Sequence, residues 1–298
     1  MVDALNAVHG RHDGVRAAHA RGPCARGTFT ATPGAARLTR APHMQGDPIP
    51  VTVRFSNGTG NPSHPDRRKD GRGMAVKFHL PSGKETDMVG ITLPVFFVKT
   101  ADDFLALQDA LALDPSTGKP DAARTMAFVQ EHPESVQGFQ AVLAFEPPSS
   151  YLGLVYRGLH AFKYVNAAGE EHYVRYRWEP ETPAPNLGDE EARALPDDYL
   201  TSELSTRLKE GPVAFRLHVQ VGQGEDPTDN PTVEWPADRE DVEVGRLVLE
   251  ETSEDCHELL FDPMVLIDGI EPSNDEILRA RSGAYSVSFN RRRAARAS

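Results

Sequence analysis

Val213-Ala-Phe-Arg-Leu-His-Val-Gln-Val221 is the longest clean alternation in the chain, with Val213, Phe215, Leu217, Val219 and Val221 falling on one side of it. Successive side chains of a β-strand point to opposite faces, so this stretch reads as a strand with one face in a core. The same period-two pattern recurs at Val51, Val53 and Phe55, which alternate with Thr52, Arg54 and Ser56. Further strands are expected at Met74 to His79 and at Gly245 to Glu250. Ala161 to Val165 and His172 to Trp178 flank the turn Asn166-Ala-Ala-Gly169, a hairpin with a longer loop. Helical stretches are expected at 3–9, 101–112, 121–131 and 189–208. Short turns between alternating strands give an α+β fold, a closed or nearly closed antiparallel β-barrel with helices around it.

No internal repeat or low-complexity linker divides the 298 residues, so residues 1–298 are read as a single domain. A chain of this length buries about three-quarters of its unfolded surface, which leaves room for an enclosed cofactor. Lys and Arg total 32 against 44 Asp and Glu, for a net charge of -12. That balance disfavours nucleic acid and anionic membranes as partners. No apolar run approaches the length of a membrane span. Cys24 and Cys256 are too few for a disulfide framework and lie in no metal-ligand spacing. A reduced compartment is therefore the default, with the cytoplasm expected, or the periplasm or exterior if an export signal has been removed.

Near the end of the chain, Ser273 stands three residues before Glu276, the spacing of a capping box, and Pro272 precedes it. The helix expected there carries Arg281 and Tyr285 four apart, hence on one face. An arginine beside a tyrosine favours the phenolate, a hard anionic ligand suited to ferric iron. Near the start, Arg16-Ala-Ala-His19 offers a group that titrates close to neutral pH and can accept and return a proton. Arg54 and Ser56 share the strand face opposite Val51, Val53 and Phe55. Each of these features taken alone is commonly a surface contact.

In series they resemble the catalase superfamily. The matching stretches are Arg16-Ala-Ala-His19 with Gly27-Thr-Phe29, Pro50-Val-Thr-Val-Arg54-Phe-Ser56 and Gly71-Arg-Gly-Met-Ala-Val-Lys-Phe78. They continue with Asp87-Met-Val-Gly-Ile-Thr-Leu-Pro94-Val-Phe-Phe97, Phe162-Lys-Tyr-Val-Asn166 and Val244-Gly-Arg-Leu-Val-Leu249. Phe261-Asp-Pro263, Gly269-Ile-Glu-Pro272 and Arg281-Ser-Gly-Ala-Tyr285 complete the series in the family's order. The resemblance implies a b-type haem buried against the barrel, with Tyr285 as the iron ligand and Arg281 keeping its phenol ionised. It implies His19 as the distal histidine, oriented by Ser56. His160 and Asp275 match the pair linked to that arginine behind the ligand. Arg16, Arg54 and Arg292 match arginines that meet the haem propionates, and Phe97 and Phe104 match rings that line the haem.

Two departures from the larger members stand out. Thr92 is read at the place of their distal asparagine, the residue that helps position peroxide. The chain also ends soon after Tyr285, without their wrapping helices, their C-terminal flavodoxin-like domain or their long N-terminal arm. Both point to the small catalase-related peroxidases. What the resemblance implies is reduction of hydrogen peroxide or organic hydroperoxides by a small organic reductant, with weak catalase activity at most. A homodimer is compatible with it. The fold also supports isomerases that turn fatty-acid hydroperoxides into allene oxides, and a non-catalytic haem carrier or sensor is a third reading. The set His19, Ser56 and Arg54 argues against a carrier, since storage needs no proton shuttle.

Overall fold

The computed structural model describes residues 1–114 and 116–297. Ten strands are present: β1 (Cys24–Ala31), β2 (Ile49–Asn57), β3 (Arg72–His79), β4 (Glu85–Ile91), β5 (Tyr156–Arg157), β6 (Phe162–Val165), β7 (Glu171–Pro180), β8 (Val213–Val221), β9 (Asp241–Ser253) and β10 (Ile270–Pro272). All pairings are antiparallel, and the order β7-β5-β4-β3-β2-β1-β9-β8 returns to β7 through a β7–β8 ladder. Eight strands thus close into a barrel, while β6 and β10 extend one side of β7. Closure removes the unpaired edges that an open sheet would present.

The alternation of Val213 to Val221 is the barrel's inner lining, since all five of its apolar residues are buried. Phe29, Phe55, Phe78 and Trp178 meet them inside, with Phe29 packed edge-on against Phe78 and Trp178 at 5.2 and 5.9 Å between ring centroids. Each such buried ring contributes about 1.5–3 kcal/mol by leaving water. Helices pack outside the barrel: α1 (Val2–His9), α2 (Pro33–Leu38), α3 (Ala101–Leu111), α4 (Ala122–Glu131), α5 (Val136–Leu143), α6 (Asp189–Ala194), α7 (Tyr199–Glu210) and α8 (Glu276–Ala297).

Three expectations are corrected. The helix expected over 189–208 is two, because Pro196 follows Leu195, which leaves α6 in an extended conformation. Ser273 does not cap α8. The cap is Asp275, whose Oδ1 accepts from the Leu278 backbone N–H, while Ser273 Oγ accepts from Asp275 N–H. Finally, Cys24 and Cys256 are joined in a disulfide with 5.9 Å between their Cα atoms, although they lie 232 residues apart. No sequence spacing brings them together; the start of β1 and the segment after β9 do.

Candidate active site

The outer face of β2, β3 and β4 forms one wall of a cavity of about 570 Å³, and the segment carrying Arg281 and Tyr285 on α8 lines the same cavity. Strand alternation settles what the barrel wall offers. Val53 and Phe55 point into the barrel, so Arg54 and Ser56 point out of it and are buried beneath the cavity. On β3 and β4 the same face carries Gly73, Ala75, Val89 and Ile91.

His19 lies in this wall. Among the described residues it is the one non-glycine with positive φ, at 54°, a conformation that costs about 1–2 kcal/mol for an L-residue. Its neighbours hold it there. The His19 backbone N–H donates to Gly58 O at 3.2 Å, and Arg54 Nη2 donates to His19 O at 2.8 Å. Its Nδ1 lies 3.0 Å from Ser56 Oγ. The ring lies so close over β3 that a Cβ on Gly73 would stand 2.9 Å from His19 Nδ1 and 2.7 Å from Ser56 Oγ. Burial, reinforced by the cations Arg54 and Arg281, pushes the imidazole down to about 3, so it is neutral at physiological pH.

On the lining of the same cavity, Arg281 Nη2 donates to Tyr285 Oη at 2.6 Å. Burial disfavours the Arg281 cation, but the Tyr285 oxygen more than compensates and holds it above its ordinary value. Behind them, His160 Nδ1 and Asp275 Oδ2 are 2.6 Å apart and both residues are buried. One carboxylate therefore caps α8 and anchors it to the segment before β6. This pair stands outside the cavity lining, and no hydrogen bond among the described residues joins it to Arg281.

A third cluster closes one end. Arg16, Arg54 and Arg292 line the cavity, and among the described residues none of the three forms an ion pair. Arg16 donates to the backbone oxygens of Cys256 and Leu259, and Arg292 donates to the same Leu259 oxygen. Burial and the nearby cations Arg54 and Arg292 push Arg16 far below its ordinary value, while burial and Arg296 lower Arg292. Burial also lowers Arg54, whose Nε is buried with no partner. A guanidinium keeps its proton in a protein, so this arrangement is suited to an anionic ligand. The other walls are aromatic: Phe97 and Phe104 both line the cavity, with Phe97 packed on Phe139 and Phe104 stacked on Phe96.

The structure thus gathers His19, Ser56, Arg16, Arg54, Phe97, Phe104, Arg281, Tyr285 and Arg292 around one cavity, with His160 and Asp275 behind it. It does not bring Thr92 there. Thr92 Oγ1 accepts from the Arg72 backbone N–H at 2.9 Å, and the residue continues the β3–β4 ladder with its hydroxyl on the backbone. Because side chains alternate along a strand, the side chain that reaches the cavity is that of Ile91, one residue earlier and paired with Gly73. Gly73 and Ile91 had no role in the sequence reading. A glycine inside a strand is the signal that could have pointed to the first, since it marks close approach of another group.

With this geometry in view, the comparisons with known proteins become specific. The family model described as catalase matches residues 7–297. A catalase-related peroxidase of Synechococcus elongatus is 38% identical over 296 residues, covering 98% of this chain and 87% of that protein. A catalase-related peroxidase of Mycolicibacterium paratuberculosis is also 38% identical, over 298 residues and 93% of its length. The solved structure of a bacterial catalase superimposes with a TM-score of 0.84 at 25% identity, covering 95% of this chain and 58% of that one. A closed eight-stranded barrel, an imidazole and an arginine-bound phenol lining one cavity, and sequence similarity along nearly the whole length agree: the chain belongs to the catalase family.

Proposed function

We propose that the protein is a haem-dependent peroxidase that reduces a hydroperoxide at the expense of a small organic donor. The observation that carries this reading is the meeting of a neutral, serine-held His19 and an arginine-bound Tyr285 on the lining of one cavity. The residues fit haem on three counts. The three unpaired guanidiniums and the orphaned Arg54 Nε suit two propionate carboxylates. The Tyr285 oxygen, next to a cation and partly buried, suits a ferric iron ligand. The flanking rings of Phe97 and Phe104 suit a planar apolar macrocycle. When bound, haem supplies the redox centre at which peroxide is reduced and to which the donor's electrons are delivered.

This chain's residues manage the proton. With Nδ1–H donating to Ser56 Oγ, His19 Nε2 carries a lone pair, and it has no hydrogen bond among the described residues. It is placed to take the hydroperoxide proton and to return it to the oxygen that departs as the O–O bond breaks. The overall change is ROOH + AH2 → ROH + A + H2O, in which the donor AH2 loses two electrons and two protons. R is hydrogen or an organic group. Arg281 donates a hydrogen bond to the Tyr285 oxygen, and the His160–Asp275 pair fixes the helix that carries both.

The test is optical. Titration with haem should give a ferric spectrum of tyrosinate type, and a phenolic donor should be oxidised on adding peroxide. Tyr285→Phe should weaken haem binding and alter that spectrum. An unchanged spectrum in Tyr285→Phe excludes this ligand, and absence of haem uptake by the unmodified protein excludes the whole reading.

A further inference from the structure

The barrel wall beside His19 is poor in hydrogen-bonding groups. Of the side chains that β2, β3 and β4 present there, Gly73, Ala75, Val89 and Ile91 offer none. Ser56 is committed to His19; Arg54 Nη2 is committed to the backbone oxygens of His19 and Ala20, and its free Nε, like the guanidinium of Arg157 paired with Ile91 across to β5, can donate a hydrogen bond but accept none. Thr92, the nearest hydroxyl on this strand, is turned onto the Arg72 N–H. Ile91 is the cross-strand partner of Gly73, over which the imidazole lies, so its side chain is one strand spacing from His19. Its Cδ1 would stand 3.0 Å from a Cβ on Gly71, so it is folded down over the wall. Leu5 and Val8 of α1, Leu107 and Leu111 of α3 and Val142 of α5 also line the cavity.

From this wall we infer that Ile91 is a specificity-determining residue that makes the site select hydroperoxides bearing an apolar organic group over hydrogen peroxide. The inference rests on the peroxidase reading above and names its oxidant. An alkyl hydroperoxide has one O–H, and His19 takes it. Hydrogen peroxide has two, and its second meets the Ile91 alkyl chain, where a buried donor goes without a partner. The organic group gains the same surface as an apolar contact.

The experiment uses haem-loaded protein, a phenolic donor, and two oxidants, hydrogen peroxide and cumene hydroperoxide. The unmodified protein should show the higher kcat/KM with cumene hydroperoxide. Ile91→Asn, which restores a polar partner, should shift the ratio of the two kcat/KM values toward hydrogen peroxide by about tenfold, the worth of one buried hydrogen bond. Ile91→Val should keep the ratio of the unmodified protein, and Ile91→Thr gives a smaller polar change should the asparagine variant not fold. A readout without turnover is calorimetric titration with 2-phenyl-2-propanol, the alcohol that reduction of cumene hydroperoxide releases. It should bind the unmodified protein and Ile91→Val, and bind Ile91→Asn several-fold more weakly. A preference for hydrogen peroxide in the unmodified protein, or a ratio that neither polar variant moves, overturns the assignment of Ile91 while leaving the peroxidase reading standing. Failure of both oxidants to react in the unmodified protein overturns the peroxidase reading itself.

Discussion

An imidazole at positive φ, set tightly over a glycine, is held in place by its surroundings rather than by its own preference. Gly73 is the clearest test of that arrangement. Gly73→Ala puts a Cβ within 3 Å of both His19 Nδ1 and Ser56 Oγ, so the imidazole must shift. Displacement of a proton-transfer group by about an ångström can cost about a hundredfold, and the rate of reaction with peroxide in stopped flow should fall accordingly while haem binding persists. His19→Ala removes the group outright and should slow the same step by roughly 10²–10⁴-fold; an unaltered rate would remove His19 from the reaction. At this scale the sequence shows residue types but not which way each one faces. His19, Arg281 and Tyr285 are legible because they sit in motifs whose order runs along the whole chain. Thr92 misleads because a single step along a strand reverses direction, and only the pairing of Ile91 with Gly73 shows which of the two neighbours turns to the cavity.

The helix that carries Arg281 and Tyr285 is aimed by contacts near its beginning. Asp275 caps α8 through Leu278 N–H and binds His160, and Ser282 Oγ donates to Asp262 Oδ2 at 2.6 Å one turn before Tyr285. Asp275→Ala loses a cap worth about 1 kcal/mol and leaves His160 without a partner for about 1–3 kcal/mol more. Urea denaturation should show that combined loss, and Asp275→Asn, which can still cap, should recover part of it. Equal stability in all three proteins would mean that Asp275 does not set the helix. Elements with unbroken alternation, such as β8, are plain in the sequence. Others are hidden by the features that make them useful. β1 carries a register shift between Arg26 and Gly27, and Gly27 lies so close to β9 that a Cβ would strike Val248 O. β4 breaks the apolar pattern with buried Asp87, which pairs with Lys77 of the neighbouring strand at 2.7 Å.

Several buried groups titrate together when the whole molecule unfolds. Burial pushes His19 and His43 down to about 3 and His9 to about 4, so the native state refuses protons that the unfolded chain accepts near 6.5. Their contribution to stability is complete above about pH 6.5 and is lost as the pH falls toward 4. Asp87, raised by burial to about 6, acts in the opposite direction between its unfolded value and that pH. The histidines outnumber it, so the melting temperature should fall from pH 7 to pH 5; a rise would contradict the burial of these rings. The disulfide acts on the same global equilibrium. Closing a loop of 232 residues removes unfolded-state entropy worth on the order of 5 kcal/mol. Reduction should lower the melting temperature by roughly 10 °C or more, and no change would mean that the two sulfurs are not bonded. That crosslink also divides the chain unequally: His19 precedes Cys24, and Tyr285 follows Cys256. A protease cut in the exposed Gln223–Glu225 turn between β8 and β9 would therefore put imidazole and phenol on separate peptides that migrate as one band until a reductant parts them. The nicked protein should keep both walls of its cavity in register, tethered by one bond between sulfur atoms.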